Sequence, residues 1–255
     1  MNRQRRNPAP RLALLTSLAA AALLSACGGG DDGGSEAVPA SEPGSTFSAS
    51  QLQGRWVTAS GITPARTGIF LPAAAGSTEL WLLSADLRSL SRLQVSASGV
   101  DAVSATGKTY SLPNSAASPA QAASYSGSAN LTNLSMSLNP GALQFTRNDA
   151  LKAATNQADV AGNWRATLGG QTVALNWNIA ATGALSGPSS TGCSYSGQLT
   201  ARSDASAYNA SLTETCNGAS VSFSGIATYR ANPAALTLAL TSTDAAQAMV
   251  VSLTK

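Results

Sequence analysis

The sequence contains no histidine and few acidic residues, and these absences exclude most catalytic chemistry. Twelve of the 255 residues are acidic and none is histidine. A Ser-His-Asp or Cys-His nucleophile, an imidazole metal site and the commonest general base all need histidine. The carboxylates beyond residue 50 are scattered, with no spaced pair like that of a glycosidase. They are Glu79, Asp86, Asp101, Asp149, Asp159, Asp204, Glu214 and Asp244. We predict a protein that is not an enzyme, with no metal and no cofactor.

Motifs for nucleotide binding and for an activated serine are also missing. The stretch CGGGDDGG at residues 27–34 lacks the Lys-Ser/Thr pair and the preceding strand of a phosphate-binding loop. Ser126 in YSGS and Ser196 in YSGQ do not match a nucleophile elbow. These observations extend the same prediction to phosphoryl and acyl transfer.

Residues 1–26 have the three parts of a secretory signal: a basic head, an apolar run at 12–24 and a small-residue end. The run is shorter than the roughly 20 residues that span a bilayer. Leu24-Ser25-Ala26-Cys27 resembles the lipobox of bacterial lipoproteins. This resemblance implies cleavage before Cys27, a diacylglycerol thioether and an acyl chain such as palmitate on Cys27, and processing by the lipoprotein maturation machinery. A plain signal peptide with an incidental cysteine is the alternative.

Removal of the leader changes the charge of the chain. Four of the fifteen basic residues lie in it, so eleven remain against twelve acidic residues, and the net charge falls from +3 to −1. We therefore expect no nucleic-acid partner. By the lipoprotein sorting rule, glycine at position 28 implies transfer to the outer membrane. The domains could then lie on its periplasmic face or on its outer face. Residues 27–50 are rich in Gly, Ser, Pro and Asp, and they are predicted to form a disordered tether.

Two halves of the remaining chain share sequence landmarks in the same order. Gly-x-Trp occurs at 54–56 and at 162–164, a second tryptophan follows at Trp81 and Trp177, and SYSG occurs at 124–127 and 194–197. These matches predict a duplicated unit: a first β domain at 51–148 that contains an insertion, a helical or irregular linker at 149–160, and a second β domain at 161–255. Within the insertion, residues 99–123 are predicted to be a long loop with one short strand.

The second half alternates apolar and polar residues with turn signals between the runs, which predicts antiparallel strands with one buried face. About eight short strands indicate an all-β fold of two small barrel or sandwich domains in tandem. The segment 193–216 can fold as a hairpin centred between Asp204 and Ala205, in which the numbers of two paired residues add up to 409. Cys193 then lies opposite Cys216, with an apolar face on one side, which predicts a disulfide in an exported chain. A redox or catalytic role for these cysteines is the alternative.

The Gly-x-Trp start followed by antiparallel strands resembles lipocalin-like small barrels of bacterial envelope lipoproteins. The resemblance covers residues 54–56 and 162–164. It implies that Trp56 and Trp164 plug one end of each barrel, where an arginine from a late strand lies across the ring. Arg230 is the candidate for Trp164, and the first half has no clear equivalent.

Two further features concern surfaces. The continuous apolar run Leu80-Trp81-Leu82-Leu83 predicts a strand buried on both faces, as a strand between the two domains would be. An exposed patch for a partner is the alternative. Glu214 is expected at a barrel rim, or else hydrogen-bonded to Tyr195.

These predictions indicate the functional class of the protein but not its ligand or partner. We expect a lipid-anchored envelope lipoprotein that acts as a non-enzymatic binding or scaffold module for a protein or glycan. A lipocalin-like carrier of a small apolar ligand and a periplasmic inhibitor of a cell-wall hydrolase are the alternatives.

Overall fold

The protein is an all-β chain, as the sequence predicts. A computed structural model describes residues 47–112, 119–148, 155–168 and 173–255, and of residues 167 and 168 it describes the backbone. The signal segment, Cys27 and most of the tether lie outside these residues. The two predicted domains are two eight-stranded closed barrels, and both belong to one compact unit, Pro43–Lys255.

The first barrel is an up-and-down meander in which each strand pairs with the next and β1 also pairs with β8. Its strands are β1 (Gly54–Thr58), β2 (Arg66–Pro72), β3 (Thr78–Ser84), β4 (Ser89–Ser98), β5 (Ala102–Ser111), β6 (Gln121–Asn130), β7 (Ser135–Asn139) and β8 (Leu143–Asn148). Closure pairs every strand on both sides and removes free sheet edges.

The second barrel repeats this order and closes through β9 and β16. Its strands are β9 (Gly162–Leu168), β10 (Ala174–Ile179), β11 (Ala184–Pro188), β12 (Ser194–Ala201), β13 (Tyr208–Cys216), β14 (Ala219–Arg230), β15 (Ala235–Ser242) and β16 (Ala248–Thr254). The predicted hairpin register is confirmed, because Ser194 pairs with Thr215 and Ala201 with Tyr208. The predicted disulfide joins Cys193 and Cys216 beside this ladder.

Apolar side chains fill the interior of each barrel. Trp56, Phe70 and Leu93 are among those buried in the first, and Trp164, Trp177 and Tyr208 among those in the second. An eight-stranded barrel has an interior just wide enough for side chains to fill. The alternation of inward and outward residues therefore produces two packed cores.

The strand β3 is buried on both faces, and the prediction for the run around Trp81 is confirmed. Leu80 and Leu82 point into the first barrel, whereas Trp81 and Leu83 belong to a third apolar cluster contributed by both barrels. Its buried members are Ile69, Leu71, Trp81, Leu83, Leu90, Tyr110 and Leu112 of the first barrel, and Ala207, Ile226, Ala239, Ala248 and Val250 of the second. The barrels therefore meet through a buried, apolar contact.

Polar contacts surround this cluster. Arg92 is paired with Glu79, with Nε 2.6 Å from Oε1, and it donates from Nη1 to Thr241 Oγ1 of the second barrel at 2.9 Å. From the other side, Arg202 Nη2 donates to the carbonyl of Pro72 at 2.7 Å. These directional hydrogen bonds help to fix how the two barrels are oriented relative to each other, which a non-directional apolar contact does not define.

The prediction of a long loop at 99–123 is wrong. Residues Ala102–Ser111 form β5, a ten-residue strand that pairs with β4 and β6 along its length. Its inward side is made largely of small residues such as Ala105 and Gly107, so the sequence shows little hydrophobic alternation. Residues 113–118 lie outside the described part of the chain.

Two of the three predicted repeat landmarks do not occupy equivalent positions in the two barrels. Trp81 lies on the third strand of its barrel, whereas Trp177 lies on the second and pairs with Trp164; the residue that pairs with Trp56 in the same way is Gly68. The two SYSG strings lie on β6 and β12, the sixth and fourth strands of their barrels. Only the Gly-x-Trp match occupies equivalent positions.

Short 3₁₀ turns are the only helices among the described residues: Ala49–Leu52, Ala74–Gly76 and Gln157–Val160. The predicted linker at 149–160 thus ends in a 3₁₀ turn behind an Asn156 cap, and its residues 149–154 are outside the described part. Within the described ranges, no helix has the length and apolar character to cross a membrane.

Candidate functional site

Trp56 and Trp164 occupy equivalent places where the chain enters each barrel. In both, the indole Nε1 donates to a carbonyl four residues earlier, Leu52 or Val160, at 2.7 Å. That carbonyl ends the 3₁₀ turn that leads into the barrel. The glycine of each Gly-x-Trp motif has a positive φ, 129° at Gly54 and 126° at Gly162. Residues with a side chain rarely adopt this backbone conformation. The tryptophans are therefore structural residues that join the entry turn to the core.

A cation lies over each of these indole rings, but Arg230 is not one of them. Lys255 Nζ is 4.7 Å from the Trp164 ring centroid, and Arg147 Cζ is 6.0 Å from that of Trp56. Arg230 instead ends β14 and donates from Nε to the carbonyl of Pro233 at 3.3 Å. The reason is topological, because the strand that closes on β9 is β16, and its end brings Lys255 beside Trp164.

A constant spacing in the sequence marks these residues. Trp56 and Trp164 are 108 positions apart, and so are the turn caps Ser48 and Asn156. Arg147 and Lys255 are separated by the same 108 positions. A search for cations at this offset would have found Arg147 and Lys255.

Glu214 is hydrogen-bonded to Tyr195, which is the second of the two arrangements expected for it. The Tyr195 hydroxyl donates to Glu214 Oε1 at 2.5 Å. Burial first, and then this hydrogen bond, raise the pKa of the Tyr195 phenol. Glu214 also lies near Cys193 and Cys216, and this is the one grouping of three Cys, Asp or Glu ligand atoms within the described ranges. The sulfurs are joined to each other, so they offer no thiolate to a metal.

An open groove lies on the outer face of the second barrel, across β9, β10 and β11. Its volume is about 890 Å³. Outward side chains from these strands and from the end of β16 line it in two cross-strand rows. One row is Asn163, Asn178 and Ser186; the other is Thr254, Arg165 and Asn176.

The chemistry of the groove is that of exposed amides, hydroxyls and cations. All six side chains of the two rows are exposed, and Asn178 Nδ2 donates to Asn163 Oδ1 at 2.8 Å. Arg165 and Lys255 add positive charge, and none of the described residues that line the groove is acidic. The groove therefore presents both donors and acceptors, with a positive bias.

Trp177 lies beneath this groove, and its indole nitrogen differs from those of the other three tryptophans in its hydrogen bonding. Trp56, Trp81 and Trp164 each donate from Nε1 to a protein oxygen. The buried Nε1 of Trp177 has no such partner in the described part of the chain. A Cβ atom at the neighbouring Gly187 would lie 2.1 Å from the carbonyl oxygen of Asn176 and 2.9 Å from Trp177 Cδ1, so the close approach of β11 to Trp177 requires glycine. A buried donor without a partner is uncommon in folded proteins.

Sequence reasoning did not identify this groove. The alternation of β10 predicts that Asn176 and Asn178 point outward, but outward polar residues occur on every strand. Only the pairing of β9, β10 and β11 brings three amides and Arg165 together. Comparisons with protein-family models, with curated proteins and with solved structures found no match.

Proposed function

We propose that this chain is a lipid-anchored protein of the bacterial outer membrane whose second barrel binds a glycan in the groove across β9–β11. The observation that carries the proposal is the set of exposed amides and hydroxyls with Arg165 at its centre. Sugars present hydroxyls that both donate and accept, and amide side chains match both roles. The leader and Cys27 support the location.

The surface of the barrels supports a glycan over a protein partner. A scaffold for proteins needs a contiguous apolar patch, since the core of such interfaces is apolar. Among the described residues, Val100 is the one large apolar side chain that is exposed. The apolar run around Trp81 is used between the barrels.

The carrier function receives less support. A carrier of an apolar ligand needs an open interior, whereas tryptophan, phenylalanine and leucine side chains fill both cores. The absence of histidine and the scattered carboxylates support a role in binding without catalysis.

Co-sedimentation with insoluble peptidoglycan sacculi, and titration with a panel of soluble neutral and acidic oligosaccharides, test the glycan proposal. The double variant Arg165→Ala/Asn178→Ala removes the centre of the groove, and we expect it to bind at least ten-fold more weakly. Arg88→Ala is the matched control, since it removes an exposed arginine from the first barrel. Equal binding by both variants, or no binding of any glycan by the parent, would reject the proposal.

The anchor is tested separately. We expect Cys27→Ser to move the protein from the membrane to the soluble fraction and to abolish labelling with palmitate. Unchanged membrane fractionation of this variant would reject the lipid anchor without bearing on the groove.

A further inference from the structure

Arg55 and Arg230 approach each other where the two barrels meet. Arg55 is on β1 of the first barrel and points outward, because its neighbour Trp56 points into the core. Arg230 ends β14 of the second barrel and is exposed. Both line a pocket of about 220 Å³ at the junction of the barrels.

The rest of the pocket supplies hydrogen-bond donors. Thr228, Thr237 and Ser252 are cross-strand neighbours on β14, β15 and β16, so their hydroxyls form one row on the outer face of the second barrel. Tyr229 and Ala235 complete the lining. No carboxylate is among the described lining residues. Two guanidinium groups therefore face a row of hydroxyls without a balancing negative charge.

Arg55 lacks a hydrogen-bond partner for its buried Nε atom in this arrangement of the described residues. Arginine remains protonated in proteins, so the charge stays. Burial, and next the charge of Arg230, hold the pKa of the Arg55 guanidinium below its ordinary value. A half-buried guanidinium beside a second one is unfavourable unless an anion joins them.

We propose that this pocket binds an oxyanion, a phosphate or sulfate group, bridged between Arg55 of the first barrel and Arg230 of the second. Guanidinium groups match the geometry of phosphate oxygens with paired N–H donors. The hydroxyls of Thr228, Thr237 and Ser252 can donate to the remaining oxygens. A volume of about 220 Å³ admits such a group but not a large ligand. The bound anion would link the two barrels through one ion held by both arginines.

The test measures thermal unfolding of the full chain, purified in detergent, in sodium phosphate or sodium sulfate against sodium chloride at equal ionic strength. Binding of the anion raises the melting temperature with the logarithm of the anion concentration above the dissociation constant, and by about 3–6 °C at ten times that constant. Arg55→Gln and Arg230→Gln should lose this increase. Arg165→Gln, in the groove on the second barrel, should keep it, so failure of the glycan proposal leaves this test intact.

A second readout separates an anion site from a merely structural arginine. In chloride alone, Arg55→Gln should be at least as stable as the parent, because it removes an unpaired charge. A soluble sugar phosphate, added in a further arm, shows whether the group is recognised as a free anion or as part of a larger molecule. The proposal is overturned if phosphate and sulfate do not stabilise the parent, if they stabilise Arg55→Gln equally, or if Arg55→Gln is destabilised in chloride.

Discussion

The indole ring of Trp81 in the first barrel packs on Gly225 of the second. A Cβ atom built at Gly225 would lie 2.8 Å from Trp81 Cη2. The same indole donates from Nε1 to Glu79 Oε2 at 2.8 Å, and the Arg92 guanidinium carbon lies 4.8 Å from its ring centroid. One side chain thus joins the apolar contact between the barrels to the polar contacts around it.

We expect Trp81→Ala to lower the free energy of unfolding by about 3–5 kcal/mol, the range for removing a buried large aromatic side chain. Trp81→Phe is the control, since it keeps most of the volume and loses the hydrogen bond to Glu79. Chemical denaturation followed by circular dichroism measures both. A loss below about 1 kcal/mol for the alanine variant would show that the interface does not depend on this ring.

The disulfide is expected to stabilise the second barrel by limiting its unfolded chain. Cys193 and Cys216 are 23 residues apart, and closing a loop of this length contributes about 3 kcal/mol on the chain-entropy argument. Cys193→Ser/Cys216→Ser in a Cys27→Ser background should lose this amount in urea denaturation. Thiol titration of the denatured, unreduced Cys27→Ser protein should find no free thiol, and a count of two would contradict the disulfide.

The cations over the two entry tryptophans are expected to differ in strength. Arg147 also donates to the carbonyls of Gln51 and Gln53, at 3.2 and 2.6 Å. We expect Arg147→Ala to cost about 2 kcal/mol, since charged hydrogen bonds and a cation–π contact are both lost. Lys255→Ala, which loses the ring contact alone, should cost about 0.5–1 kcal/mol. Arg88→Ala serves as the exposed control, and equal effects for all three variants would contradict the assigned roles.

We expect the Tyr208 phenol to ionise at a higher pH than an exposed tyrosine. Burial, then the charge of Asp159 and the neighbouring Tyr229, raise the pKa of its phenol to about 12, and the hydroxyl donates to the carbonyl of Asn156 at 2.8 Å. Because the folded-state pKa lies above the unfolded value of about 10, its contribution to stability is constant below pH 10. That contribution is lost as the pH rises from about 10 to 12.

Absorbance at 295 nm against pH should show this transition, and Tyr208→Phe should remove it while leaving the other tyrosine transitions. A Tyr208 transition near pH 10 in the folded protein would contradict the burial and hydrogen bond described for this phenol.

Prediction from the sequence succeeded where residue types on opposite sides of a strand differ sharply. The 193–216 hairpin has apolar residues on one face and hydroxyls on the other, so one register satisfies both faces and the disulfide. The strand β5 failed this test because its inward positions include Ala105 and Gly107, which carry no hydrophobic signal. Gly107 must be small, since a Cβ atom there would lie 2.2 Å from the carbonyl oxygen of Arg92.

The candidate sites could not be predicted for a different reason. The groove and the arginine pocket are each assembled from outward residues of separate strands, and the pocket combines residues from both barrels. Arg230 is the sequence candidate for the ring of Trp164 because the resemblance to lipocalin-like barrels implies an arginine from a late strand. Strand order within the closed barrel places Arg230 elsewhere, and strand order is not visible in local periodicity.

Closure of both sheets restricts how this protein can recognise anything. In each barrel the first strand is hydrogen-bonded to the last, so the described strands leave no row of unpaired backbone groups. A partner peptide cannot extend such a sheet by adding a strand of its own. Recognition by the described strands must therefore depend on their side chains. Substitutions on their outer faces can change specificity without altering the backbone that carries them.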